Sequence, residues 1–582
     1  MTHRKLVIPV VLAALAVTPL AAEAPDLSLR SIALAARDRM LSRDAIAQGP
    51  AAMLAEVVGI DPLPVACVTP LLRHEDPGGT MPGQLPGALL QARILLAARP
   101  QVAARRSFTP ADGGFVIWFS DHSAAGGLMA ADQDGDGLPD LVNRVAELLL
   151  ASRSQLGDLG YPDPVPADAP LEVHLLRLGR DVEGYVGRPS AAPGSAAAEG
   201  GPFIVLDTTL EPGRLGAAVM HQMAHLSLDL LAPATAPWWA EASATFLSFA
   251  ATGDVDSLTT GLEARLGAAG RGLTSDDLRL MQGTVLWPLF LVERTGDPVI
   301  VSRLWERIAA EGLDPLQAAA VVLQEMAGIS LADALREYAA WNLFTGERDD
   351  GLHYSFGRAF PAAELPLVGP GLPLDLGPVE PIEATGSIAF RLPSDGEVGA
   401  LDLSLLGEGG DAGADLLVFY RDQGARPVLV PIALAENGRG QVSVPWDDAI
   451  EAWLILRNTA VAPDQVARFE LRASLDPFAP FDLASFTAEG AGPSIVLTWT
   501  TASEKGLLGW NVYRARRPGG PFLRLNDLAI PAYGDGTDET GYIFVDDAAR
   551  GERRYYYLIE GLTQSGLTRR SHLASARTPT QR

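Results

Sequence analysis

Residues 221–246 read HQMAHLSLDLLAPATAPWWAEASATF, and the fold of the middle of the chain turns on them. His221 and His225 stand four apart in an apolar run, so on a helix they project from one face and both imidazoles reach one ion. Zinc favours such nitrogen ligands, and a reactive site adds a third protein ligand while leaving the fourth position open. Glu241 is the candidate third ligand. The sixteen residues after His225 let one helix end around Ala232-Pro233, a loop turn back and a second helix begin near Pro237. Two histidines that merely share a helix face, with Glu241 solvated or capping, would give the same letters. The apolar helix, the acid on the next helix and an exported setting, where zinc is met without cytosolic competition, favour the ion.

Export is read from the first residues. His3, Arg4 and Lys5 make a basic start, residues 6–17 an apolar stretch and Pro19-Leu20-Ala21-Ala22 a small-residue cleavage zone. A signal peptide is therefore expected over residues 1–22, with Ala24 as the second-choice cleavage point. An uncleaved anchor would need ~20 apolar residues, more than this stretch has. The mature protein is expected to be secreted or periplasmic, with no membrane span after cleavage. The single cysteine, Cys67, cannot form an intrachain disulfide; it is expected to be buried, or else to pair between chains.

At 582 residues the chain should divide into three or four domains, and with 48% hydrophobic residues it can fill their cores. A formal charge of −26 excludes a nucleic-acid partner, which would need a basic face, and leaves a protein or peptide substrate or ligand as the expected partner.

Residues 23–107 carry helical periodicity over 29–55 and 85–104, broken by Asp61-Pro62-Leu63-Pro64 and Asp76-Pro77-Gly78-Gly79, and fit a helical N-terminal segment or prosegment. Residues 108–360 mix strands at 115–119, 171–176 and 203–206 with helices near 217–230, 240–250, 283–294, 299–310 and 331–343, an α+β pattern. Pro288 should kink or end one of those helices. A Pro/Gly-rich linker, 361–378, then separates this region from period-two patterns over 379–476, a β-sandwich. After a second linker, residues 481–582 form another all-β module. Its stretch Ile495-Val496-Leu497-Thr498-Trp499-Thr500-Thr501-Ala502-Ser503-Glu504 resembles fibronectin type III-like modules at the ends of bacterial secreted proteins.

His221-Gln222-Met223-Ala224-His225 followed by Trp238-Trp239-Ala240-Glu241-Ala242-Ser243-Ala244 resembles the HExxH…WWxxEaxA pattern of a secreted metalloprotease family known from myxobacteria, of gluzincin type. The similarity extends to residues 132–140, 204–207 and 338–346. It implies a zincin-like metallopeptidase domain followed by two all-β sandwich domains, with His221, His225 and Glu241 as zinc ligands. It also implies glutamate at position 222, where this chain has Gln222. In such hydrolysis that side chain takes a proton from the attacking water and delivers it to the leaving amine. An amide cannot, and general acid–base catalysis contributes about 10²–10⁴-fold, so peptide hydrolysis is expected to be weak or lost. A non-catalytic surface or binding protein using its β-modules is the alternative.

Asp132-Gln133-Asp134-Gly135-Asp136-Gly137-Leu138-Pro139-Asp140 places carboxylates at alternate positions around a sharp turn. Calcium wants such an oxygen cage, with Asp132, Asp134, Asp136, the Leu138 carbonyl and Asp140 as its ligands. Position twelve is Asn143 rather than a bidentate glutamate, so the loop resembles the shorter calcium loops of thrombospondin-like repeats. An acidic turn capping the following helix is the alternative. His74, His122, His174 and His572 fit exposed or satisfied side chains, His353 and Tyr354 a surface pair, and Trp238 and Trp239 core or cleft-wall aromatics.

Overall fold

The computed structural model describes residues 67–70, 99–100, 105–120, 132–178, 182–188 and 201–578, the last with short breaks. The signal peptide of residues 1–22, the helix expected over 29–55, nearly all of that over 85–104, and His74 and His122 lie outside the described residues.

Five strands build the first sheet: β1 (Arg105–Phe108), β2 (Phe115–Ser120), β3 (Leu171–Leu176), β4 (Gly184–Gly187) and β5 (Phe203–Asp207), in the order β1-β2-β3-β5-β4. The inner pairs β2/β3 and β3/β5 run parallel, while β1 and β4 pair antiparallel at the two edges. Parallel neighbours need a crossover, and helix α1 (Asp140–Asp158) supplies the one from β2 to β3. Its buried Val142, Val145, Ala146, Leu149 and Leu156 recur at helical spacing and form one inward stripe. Residues 105–107 belong to this sheet, not to the N-terminal segment that the sequence suggested. The stretch RRSF has no apolar alternation to betray a strand; ladder bonds hold it, and Arg105 lies 4.0 Å from the centre of the Trp118 ring.

Helix α2 (Pro212–Leu231) lies against the sheet, and α3 (Pro237–Thr252) packs on α2. Each opens on proline, whose missing N–H is a donor that the first turn leaves unpaired anyway. Gly253, at φ 67°, ends α3 in the left-handed conformation that glycine adopts without strain. Helix α2 is buried on nearly every side because β4, β5, α1 and α3 surround it. Ser248 of α3 donates its hydroxyl to the Ala217 carbonyl of α2 at 2.8 Å and fixes the pair.

Six more α-helices follow among the described residues of this domain: α4 (Thr259–Gly267), α5 (Leu278–Gly283), α6 (Leu286–Thr295), α7 (Ile300–Glu311), α8 (Pro315–Ala327) and α9 (Leu331–Trp341). Pro288 neither kinks nor ends a helix. It sits in the first turn of α6, where no intrahelical N–H is needed. Trp305 of α7 stacks on Trp239 of α3 at 6.2 Å and donates its indole N–H to Ser243 Oγ at 3.0 Å. Truncating such a buried tryptophan to alanine costs about 3–5 kcal/mol.

The next strands are β6 (Leu374–Leu376), β7 (Ser387–Pro393), β8 (Ala400–Glu408), β9 (Ala412–Tyr420), β10 (Val428–Ile432), β11 (Arg439–Pro445), β12 (Ala449–Asn458) and β13 (Arg468–Asp476). One sheet runs β10-β9-β12-β7; β11-β8-β13-β6 belongs to the other. Leu416, Val418 and Leu454 fill the core between them, while Leu417, Trp453 and Ile455 join the core of the helical domain. The four-stranded sheet is thus buried on both faces, which is why β9 reads as a continuous apolar run. The segment expected as a free linker is tied down: the Val368 N–H donates to the Arg391 carbonyl at 2.9 Å, and residues 374–376 pair with β13.

Residues beyond 481 form β14 (Asp482–Ala491), β15 (Ser494–Ser503), β16 (Leu507–Ala515), β17 (Leu523–Arg524), β18 (Ile530–Pro531), β19 (Thr540–Asp546), β20 (Arg554–Thr563), β21 (Thr568–Arg570) and β22 (Ala574–Arg577). Trp499, Trp510, Tyr542 and Tyr557 dominate their core. A parallel bridge from Ser443 of β11 to Arg569 of β21 joins the second sheet of the sandwich to this module. The chain is therefore multidomain, with helices and sheet first and β-sandwich character afterwards. Among the described residues no single helix is long and apolar enough to cross a membrane.

Candidate metal centre

Helix α2 places His221 and His225 a turn apart, and α3 packs back on α2 so that Glu241, in its second turn, faces them. All three are buried, at 8%, 0% and 1% exposure. The two Nε2 atoms lie 3.0 Å apart; Glu241 Oε1 is 3.3 Å from His221 Nε2, and Oε2 is 3.1 Å from His225 Nε2. Neither carboxylate oxygen receives a hydrogen bond of good geometry. Two imidazoles and a carboxylate turned toward one point are costly in a dry interior unless a cation stands between them.

A fourth group joins them. Cys67 Sγ lies 3.6 Å from His225 Nε2, and the ligand atoms of Cys67, His221, His225 and Glu241 all fall within 4.8 Å of one another. Zinc with nitrogen at about 2.0–2.1 Å and sulfur at about 2.3 Å makes a tetrahedron with edges of about 3.3 Å (N to N) and about 3.6 Å (N to S). The donor set and its spacing fit that ion. Cys67 is buried, as the sequence suggested, but it is not the inert core thiol that burial alone implied. The contact spans 158 residues and leaves no local pattern; the one available signal was a solitary cysteine in a chain with two histidines set for metal.

These groups act on one another. Burial and Glu241 push the Cys67 thiol up, but His221 and His225 outweigh them and hold it at about 6. Burial pulls His221 down, yet the Glu241 carboxylate and Cys67 raise it to about 10. Glu241 is held well below the usual carboxylate range by the two histidines despite its burial. The cluster is not a nucleophile–base–acid relay. There the acid would orient the imidazole through one nitrogen while the nucleophile met the other, whereas here Cys67 and Glu241 both approach Nε2 of His225.

Gln222, 1% exposed, donates its amide to Cys67 Sγ at 3.6 Å and accepts from the Thr69 hydroxyl at 3.3 Å. A cavity of about 30 Å³ opens beside it, lined by Cys67, Glu183, His221, Gln222 and Thr245 among others. That is room for a water or two. Glu183 had no sequence signal. Burial raises its carboxyl above the ordinary range while Arg214, its ion-pair partner, opposes the rise. Tyr354 is buried rather than a surface residue, its hydroxyl donating to Asn342 at 2.8 Å, and His353 stacks on Phe344; neither lines the cavity.

In the acidic loop, carboxylate oxygens of Asp132, Asp134 and Asp136 converge within 4.8 Å of one another. Asp140 lies outside that group and accepts instead from the Gln133 N–H at 3.0 Å, in the first turn of α1. Leu138 donates its N–H to Asp136 at 2.7 Å, and the Asn143 amide takes the other Asp136 oxygen at 2.8 Å. These bonds, with that of Asn143 foremost, lower the Asp136 carboxyl.

No family model matches the sequence, and no curated protein matches it. Among solved structures it is similar to an Fn3-like protein from Clostridium thermocellum, at 21% identity over 17% of this chain and 92% of that one, TM-score 0.13. It is similar to the pectate lyase Pel3 from Pectobacterium carotovorum at 18% identity over 17% of this chain and 27% of that one, TM-score 0.13. The adhesin domain of Epf from Streptococcus pyogenes follows at 11% identity, covering 35% of this chain and 77% of that domain, TM-score 0.13. Scores this low establish no common fold.

Proposed function

We propose that the chain is an exported, zincin-like protein that holds one zinc ion through His221, His225 and Glu241 and hydrolyses peptides weakly or not at all. The observation that carries it is the approach of three ligand atoms from two adjacent helices to tetrahedral spacing. Zinc bound there would polarise a carbonyl and lower the pKa of water. The protein side of the chemistry is deficient. Gln222 donates and accepts hydrogen bonds but takes no proton, and Glu241 is committed as a ligand. A structural calcium ion in the Asp132/Asp134/Asp136 loop belongs to the same proposal.

Gln222 equally favours a non-catalytic surface or binding protein that keeps the ion and meets a protein or peptide ligand through its β-modules. Zinc content and peptide cleavage, measured on the natural protein and on Gln222→Glu, separate these. Bound zinc near one per chain with no cleavage by the natural protein is expected. Cleavage by the natural protein, abolished by chelation and by His225→Ala, would sink the non-catalytic reading, and absence of zinc from both versions would remove both. No cleavage even by zinc-loaded Gln222→Glu would favour the binding protein.

A further inference from the structure

We infer that Cys67 is the fourth ligand of this ion and that Gln222 serves its thiolate, so the centre is a closed metal staple joining residues 67–70 to α2 and α3. This rests on the zinc proposal above and changes its meaning. Three protein ligands with an open position make a reactive zinc site; four make a structural one.

The thiol is delivered by the backbone, not by chance. Cys67 bridges Gly184 at the free edge of β4 in the parallel sense, and two residues on, Thr69 Oγ1 accepts the Val186 N–H at 3.1 Å. A single bridge at Cys67 and the Thr69 hydroxyl, already in a helical turn, thus dock the segment on β4, and this places Sγ beside the imidazole of His225. A thiolate with two imidazoles and a carboxylate is a donor set for zinc or a neighbouring borderline metal, not for calcium or magnesium.

Gln222 then acquires a reason. Val186 N–H donates to Thr69 Oγ1, the Thr69 hydroxyl donates to Gln222 Oε1, and Gln222 Nε2 donates to Cys67 Sγ. A glutamate here would still accept from Thr69, but it would turn an anionic, acceptor-only group toward a thiolate. The repulsion would fall in a dry pocket, where it is strongest. The residue that removes the general base is the residue that a sulfur ligand requires. An ion held between positions 158 residues apart has its ligands assembled only in the folded chain, so its binding energy adds to folding.

Cobalt(II) added to the metal-free full-length chain tests this without any activity assay. The natural chain should show the visible bands of four-coordinate cobalt together with a near-ultraviolet thiolate-to-cobalt charge-transfer band. Cys67→Ser should keep visible bands and lose the charge-transfer band, and Gln222→Glu should bind cobalt about 10–100-fold more weakly. Cobalt bound by the natural chain without a charge-transfer band, or bound as tightly by Gln222→Glu as by the natural chain, overturns the staple and leaves the zinc proposal standing. No cobalt bound by the natural chain overturns both. The natural chain decides the ligand question alone, so a variant that fails to fold does not rescue the inference.

Discussion

Arg336 of α9 makes a two-pronged ion pair with Asp415 of β9, with Nε 3.0 Å from Oδ2 and Nη2 2.7 Å from Oδ1, and so fastens the helical domain to the first sandwich. Arg457 of β12 reaches the same carboxylate from the sandwich side. Asp415 is 2% exposed, so its charge has been taken out of water and depends on these two partners. Asp415→Ala would leave two guanidinium groups facing each other in a nearly dry interface. The expected loss is about 3–5 kcal/mol, read as a fall in the denaturant midpoint with the slope unchanged. An unmoved midpoint would show that the junction is held elsewhere.

The same junction makes the sandwich a structural part of the first domain. Leu417, Trp453 and Ile455 lie in the core cluster of the helical domain, and Phe344 packs on Trp453 at 5.2 Å. A chain ending at residue 368 would expose that apolar face. It is expected to aggregate or to elute as a broad high-mass species in size-exclusion chromatography, whereas a chain ending at residue 476 keeps the interface. A monomeric, cooperatively melting 368-residue product would refute this.

What was legible in the sequence was local. The four-residue spacing of His221 and His225, and the proline at 237 that starts α3, are written within one or two turns of helix, so the paired helices could be read directly, although α2 begins at Pro212, five residues before the expected start. The capping box of Asp314 and Gln317 that opens α8 was equally readable, though no helix was expected there. What depends on partners far along the chain was not legible. Arg105–Phe108 has no apolar alternation, and its pairing with β2 and the contact of Arg105 with Trp118 hold it. Cys67 meets the histidines only because β4 offers its edge to a short segment with no periodicity of its own.

Gly184 is where that edge is most sensitive. A Cβ built there would come 2.7 Å from the Val205 carbonyl oxygen and 3.4 Å from Gln222 Cγ, so backbone must move to admit it. Gly184→Ala is expected to destabilise the protein by about 1–3 kcal/mol. It should also loosen the strand that carries the Cys67 bridge, so the thiol should react faster with a disulfide reagent under native conditions. A variant whose thiol stays as protected as that of the natural chain would mean that β4 does not hold residue 67 in place.

The acidic loop offers a separable test of the second ion. Asp134 accepts the Asp136 N–H at 3.2 Å, and an asparagine keeps a carbonyl oxygen for that bond while removing the charge. Asp134→Asn should therefore preserve the turn and weaken calcium binding, whereas Asp132→Ala would also strip the Gly135 and Gly137 N–H groups of their acceptor. In thermal melts of the natural chain, calcium should raise the midpoint by several degrees and magnesium much less, because magnesium gives up its water reluctantly. In Asp134→Asn the calcium response should shrink while the midpoint in chelator stays near that of the natural chain. If calcium leaves the natural midpoint unchanged, the loop is an acidic turn at the head of α1, held by its own backbone hydrogen bonds.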